Sequence, residues 1–253
     1  MTARQRIEAM YSEHPTLVWG HRGACAYAPM NTLPSFELAA ELGADGIELD
    51  VHRTKDGHAV VVHDFTVDAT SDGQGHVKDM TLEEIKELDA GSWFDDKFAG
   101  TKIPTLDEVF ESVGQKLYIN IEIKSHDMVS DGVEVVVADC IPRHNLQERV
   151  LISSFNPLAL RRFRELLPDI PIGYALAPGY LRQLQSLLGN LSYEARHPQH
   201  ETVDAAFIEK ARNRGYITAT WTVNDPQRAK ELADLGVEGI ITDNPDTIIQ
   251  AIR

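Results

Sequence analysis

Short apolar runs rich in β-branched residues recur along the 253-residue chain, at 17–20, 46–51, 59–62, 117–122, 150–153, 171–175, 217–222 and 239–242. Amphipathic helical patterns separate most of them, at 33–42, 106–113, 132–141, 158–167, 180–188, 203–214, 226–235 and from 246 onward. Continuous apolar strands alternating with helices mark a parallel sheet covered on its outer face, and eight such units in about 250 residues fit one (β/α)8 barrel. Cap signals agree. Thr105 precedes Leu106 with Glu108 three residues on, a capping-box spacing, and Asn224-Asp225-Pro226 places proline at a helix start. Gly43, Gly215 and Gly236 stand where helices should stop.

One link departs from the alternation. Residues 51–58, containing Lys55-Asp56-Gly57, are too few for a helical crossover between the second and third strands. A hairpin would make the third strand antiparallel and carry His63 to the opposite end of the barrel from Glu48 and Asp50. An extended return of that length reaches about 25 Å, so a helix-free parallel connection is also open. The parallel arrangement is preferred because it gathers the polar clusters on one rim. After the third strand, 65–102 is long for a loop and carries a short helical pattern at 82–88 with Trp93, Phe94 and Phe98. It reads as a small insertion at the rim within a single domain spanning 1–253, placed where barrel enzymes set substrate selectivity.

Charged residues are 25% and hydrophobic ones 43%, so the whole chain should fold. A formal net charge of −15 argues against nucleic acid or an anionic membrane surface as partner, because phosphate-rich partners are repelled. Cys25 and Cys140 are far apart and suggest neither a zinc site nor a disulfide framework. The first residues lack an apolar secretion segment, and no apolar stretch is long enough to span a membrane. A soluble, cytoplasmic protein acting on a small molecule is expected.

Four of the runs end in or exit into functional side chains: His21-Arg22-Gly23, Glu48-Leu49-Asp50, His63-Asp64 and Glu122-Ile123-Lys124. Residues two apart on a strand face the same side, so Glu48 and Asp50 converge, as do Glu122 and Lys124. Converging carboxylates repel unless a cation lies among them, and an oxygen-only set suits Mg²⁺ or Ca²⁺. His21 and His63 carry imidazoles, a group whose ordinary range near neutrality suits general acid and base roles. Arg22 and Lys124 suit an anionic phosphoryl centre. These groups point to phosphoryl transfer.

These residues also carry a resemblance. The chain resembles the glycerophosphodiester phosphodiesterases, a phospholipase-C-like TIM-barrel family, through His21-Arg22-Gly23, Asn31-Thr32, Glu48-x-Asp50, His63-Asp64, Asn120-Ile121-Glu122-Ile123-Lys124 and Trp221-Thr222-Val223-Asn224. Supporting stretches are Gly91-Ser92-Trp93-Phe94, Ile103-Pro104-Thr105-Leu106, Ser153-Ser154-Phe155 and Gly239-Ile240-Ile241-Thr242-Asp243. The resemblance implies one divalent cation on Glu48, Asp50 and Glu122, His21 and His63 as the acid-base pair, and Arg22 with Lys124 on the phosphate. It places Trp221 against the glycerol backbone and implies hydrolysis to glycerol 3-phosphate and an alcohol. It also favours the parallel third strand. Two departures stand out: Met30 where the family often has glutamate, and Ala69 where the insertion often has arginine. Alternatives of other classes are a phospholipase-D-like lyase that stops at a cyclic phosphate, and a barrel that binds phosphodiesters without turnover.

Overall fold

The computed structural model describes residues 1–126, 128–176 and 191–253. The helix expected at 180–188 lies outside the described residues. In chain order the elements are α1 (Ala3–Met10), β1 (Leu17–His21), α2 (Leu33–Glu41), β2 (Gly46–Arg53), β3 (Ala59–Val61), α3 (Leu82–Glu87), α4 (Leu106–Val113) and β4 (Tyr118–Ile123). They continue with α5 (Val133–Arg143), β5 (Val150–Ser154), α6 (Pro157–Leu166), β6 (Ile172–Leu176), β7 (Ala195–Pro198), α7 (Ala205–Asn213), β8 (Ile217–Thr220), α8 (Pro226–Asp234), β9 (Gly239–Thr242) and α9 (Pro245–Ile252). Eight strands, β1, β2 and β4 to β9, pair in parallel, and β1 closes the ring by pairing with both β2 and β9. The (β/α)8 barrel is therefore formed.

The third strand is not part of the ring. It runs antiparallel to β2, with Val51 opposite Val61 and Arg53 opposite Ala59, so the parallel return is corrected to a hairpin. The feared consequence, His63 at the far end, does not follow. β2 overshoots its pairing with β1, which stops at Glu48, and extends to Arg53 above the rim. β3 therefore descends only to the level of Asp50, whose carbonyl accepts the Val62 N–H at 3.0 Å. His63 follows at once. The eighth ring strand is β7, which was not expected: its sequence Ala-Arg-His-Pro carries no branched apolar residue.

The strands sort their side chains by face. Ile47, Leu49, Ile119, Ile121, Ile123 and Ile152 are buried with Phe36, Phe110, Val137, Leu160 and Phe163 of the surrounding helices, in one core. The alternate positions, including His21, Glu48, Asp50, Asn120, Glu122, Ser153 and His197, line a cavity inside the barrel. The bottom is plugged by Trp19, 1% exposed, packed with Ile7 and Met10 of α1. Gly46 makes room for that ring, since a Cβ there would lie 2.5 Å from its Cε3. The segment after His63 has its own small core of Val67, Val77, Ile85, Ala90 and Ile103 against Val60 and Val62 of the hairpin. α3 and α4 both open with capping boxes, on Thr81 and on Thr105.

Candidate active site

The turn after β1 shapes one wall. Arg22 adopts φ 53° and Gly23 φ 91°, both left-handed. A Cβ on Gly23 would lie 2.3 Å from Ser35 Oγ at the start of α2, so only glycine lets the turn pack there. This fold-back lets the Arg22 backbone N–H donate to Glu48 Oε2 at 3.2 Å, and sets Arg22 Nε 3.5 Å from Asp50 Oδ2. At 3.5 Å the guanidinium is an ion-pair neighbour of Asp50 without a hydrogen bond at Nε. One of its terminal amino groups reaches the Met30 thioether at 3.2 Å. Met30, one of the two departures, thus gives Arg22 a neutral, weak acceptor.

Glu48, Asp50 and Glu122 each offer a carboxylate oxygen within 4.8 Å of the others. Glu48 and Asp50 are buried, with Glu122 partly so. Burial and repulsion from Asp50 and Glu122 push the Glu48 carboxyl well above its ordinary range. Burial pushes Glu122 up as well, against the pull of Lys124. For Asp50 burial also acts upward, but Lys124 and Arg22 outweigh it and hold the carboxyl at about 2. Lys124 Nζ sits 3.0 Å from Glu122 and 3.3 Å from Asp50. Asn31, from the loop after β1, donates to Asp50 Oδ2 at 2.9 Å and locks its orientation. Ionised together, the three carboxylates would outnumber the two cations, and an oxygen-only donor set of this spread fits a hard divalent ion.

Both histidines are held in the same way. His21 Nδ1 lies 2.6 Å from Asp243 Oδ1, and His63 Nδ1 lies 2.6 Å from Asp64 Oδ1. A carboxylate at Nδ1 requires a proton there, which leaves Nε2 as the working nitrogen. Asp243 is itself fixed. Asn224 donates to its Oδ2 at 2.6 Å, and Cys25 Sγ donates to Oδ1 at 3.0 Å. Burial, with Asp243 adding to it, pushes the Cys25 thiol up, so it stays protonated. His21, Cys25 and Asp243 also lie within ligand spacing of one another, but hydrogen bonds already join them. His63 is pulled below its ordinary value by burial, with Lys124 and Arg22 acting in the same sense against Asp50. His52 supports it from behind, donating from Nε2 to the His63 carbonyl at 3.2 Å and meeting Phe65 edge-on.

All eight side chains singled out in the sequence, His21, Arg22, Glu48, Asp50, His63, Glu122, Lys124 and Trp221, line one cavity of about 240 Å³. Trp221 forms its wall with Phe155, the rings edge-on at 5.6 Å, and donates from Nε1 to the His197 carbonyl at 2.9 Å. Sequence reading did not assign Asp243, Asn31, Asn224 or Phe155, although each lies in a stretch that carried the resemblance. His197, which the sequence pattern did not single out, is buried and lines the cavity.

The sequence profile of the glycerophosphoryl diester phosphodiesterase family matches residues 21–247. The glycerophosphodiester phosphodiesterase of Caldanaerobacter subterraneus subsp. tengcongensis is 46% identical over 239 residues, covering 94% of this chain and 98% of the relative. The glycerophosphodiester phosphodiesterase of Bacillus subtilis is 34% identical, covering 91% of this chain and 84% of the relative. Among solved structures, an Oleispira antarctica phosphodiesterase in complex with the product sn-glycerol-3-phosphate superposes with a TM-score of 0.87 at 32% identity, covering 96% of this chain and 98% of that one. An Agrobacterium tumefaciens glycerophosphodiester phosphodiesterase superposes with a TM-score of 0.81 at 30% identity, covering 93% and 99%.

Proposed function

Because the chain belongs to the glycerophosphoryl diester phosphodiesterase family, we propose that it hydrolyses glycerophosphodiesters to glycerol 3-phosphate and an alcohol, with a divalent cation and two histidines. The observation that carries this reading is the pair of imidazoles in one cavity, each with Nδ1 held at 2.6 Å by a carboxylate and Nε2 left to work.

Glu48, Asp50 and Glu122 would hold the cation, Mg²⁺ or Ca²⁺. When bound, it supplies positive charge to phosphate and hydroxyl oxygens. Arg22 and Lys124 add two fixed cations that draw the diester phosphate into the cavity and stabilise the negative charge that grows on its oxygens. One imidazole takes the proton from the attacking oxygen, that of a water or of the glycerol 2-hydroxyl. That oxygen forms a bond to phosphorus as the bond to the leaving alcohol breaks. The other imidazole gives its Nε2 proton to the departing oxygen. With the hydroxyl the first product is a cyclic phosphate, which a water then opens at phosphorus to glycerol 3-phosphate as the bond to the 2-oxygen breaks and that oxygen takes a proton. Asp243 and Asp64 keep each ring in the required tautomer and stabilise it when charged. Phe155 and Trp221 give the carbon chain of the substrate an apolar wall. The substrate is a small molecule, and among the described residues no helix is long and apolar enough to cross a membrane.

The test is incubation with glycerophosphocholine, with and without EDTA, measuring glycerol 3-phosphate. Release that EDTA abolishes and added Mg²⁺ or Ca²⁺ restores is expected. No release under any divalent cation contradicts the reading for this substrate.

A further inference from the structure

Alongside the charged groups the cavity has a neutral polar floor of Asn120, Ser153 and His197. Asn120 lies two residues before Glu122 on β4, facing the same way, and pairs in register with Glu48. His197 sits on β7 opposite Ala175, yet its ring leans down the barrel. A Cβ on Gly173, two residues earlier on β6, would lie 2.7 Å from its Nε2. Glycine at 173 is what gives the imidazole its place.

Both side chains are 2% exposed, and among the described residues neither His197 Nε2 nor Asn120 Oδ1 has a hydrogen-bond partner. A buried polar atom left unpaired costs about 1–3 kcal/mol. Two of them lining one cavity therefore call for an account in terms of what enters it. Ser153 adds a third polar side chain to the same lining. Burial holds the His197 imidazole down to about 4, so it is neutral at physiological pH. Asn120, Ser153 and neutral His197 suit an uncharged hydroxyl, whereas the phosphate is drawn to Arg22 and Lys124. Phe155, Ala175 and Ile241 in the same lining suit carbon.

We propose that His197 and Asn120 bind a hydroxyl of the substrate's glycerol portion and so set a preference for glycerol over a plain alkyl chain. The assignment rests on the phosphodiesterase reading above. A site built to hydrogen-bond a hydroxyl rejects the analogue lacking it, because its own buried groups are then left unpaired.

The test is calorimetric titration of the Mg²⁺-loaded protein with sn-glycerol 3-phosphate and with propyl phosphate, which keeps the phosphate and loses both hydroxyls. The ratio of the two affinities is the readout. The wild type should favour glycerol 3-phosphate. In His197→Leu and in Asn120→Ala that ratio should fall by about tenfold or more. His197→Gln, which keeps a donor and an acceptor, should recover much of it. Thermal melting separates binding from packing: His197→Leu removes an unpaired polar atom and should melt no lower than the wild type. An unchanged ratio in both His197→Leu and Asn120→Ala, with glycerol 3-phosphate still bound, overturns the floor alone and means that it holds only water. A ratio lost together with melting temperature, and not recovered by His197→Gln, overturns it in favour of packing. A wild type that binds neither phosphate overturns the phosphodiesterase reading and the floor with it.

Discussion

At the bottom of the barrel Trp19 is enclosed in an apolar cluster by Leu151, Ala195 and Ile241 and by Ile7 and Met10 of α1. Two residues along the same strand stands His21, and the matching rise on β2 leads from Gly46 to Glu48 and Asp50. The lower end is close-packed, with glycine where the indole needs room. The upper end buries Glu48 and Asp50 and half-buries Glu122, Arg22 and Lys124, so that three carboxyl groups face two cations. A buried charge without full compensation is costly. The lower end supplies the stability that lets the upper end keep its charges poised. If this division is right, substitutions at the two ends should damage different observables.

Trp19→Ala should have the largest effect on stability, about 3–5 kcal/mol, from lost burial and the cavity left behind. Chemical denaturation would show it as a lower midpoint with an unchanged slope. A loss under 1 kcal/mol would break the comparison from below, because the plug would then not be what holds the barrel. Asp243→Asn should act at the other end and more modestly. Its amide cannot keep His21 in the same tautomer, so kcat should fall about 10²- to 10³-fold with KM nearly unchanged. The melting temperature should stay close to that of the wild type. If KM rose instead while kcat held, Asp243 would be shaping the pocket and not the imidazole.

How much of this was legible in the sequence depends on the kind of interaction. Glu48 with Asp50 and Glu122 with Lys124 could be read because strand alternation puts residues two apart on one face, a purely local rule. The same local rule served Thr105 and Asn224-Asp225-Pro226 at helix starts. Asp243 was not assigned because its partner, His21, is 222 positions away and only ring closure through β1 and β9 brings them together. β7 was missed because Ala195 and His197 fill its inward positions, where a packed core would carry valine or isoleucine, and Arg196 stacks on Tyr216 from the other face. The direction of β3 was misread because Asp50 looked like the end of a strand that in fact runs on to Arg53. Each miss lies where long-range closure or the site itself overrode the local pattern.

The three carboxylates are the most direct point of test. Titration of Mg²⁺ or Ca²⁺ into the wild type by calorimetry should show one bound ion per chain. Glu48→Gln, Asp50→Asn and Glu122→Gln should each weaken that binding by about tenfold or more while the fold persists. Binding unchanged in all three variants would contradict a cation held by these carboxylates, and the charged upper end of the barrel would need another purpose.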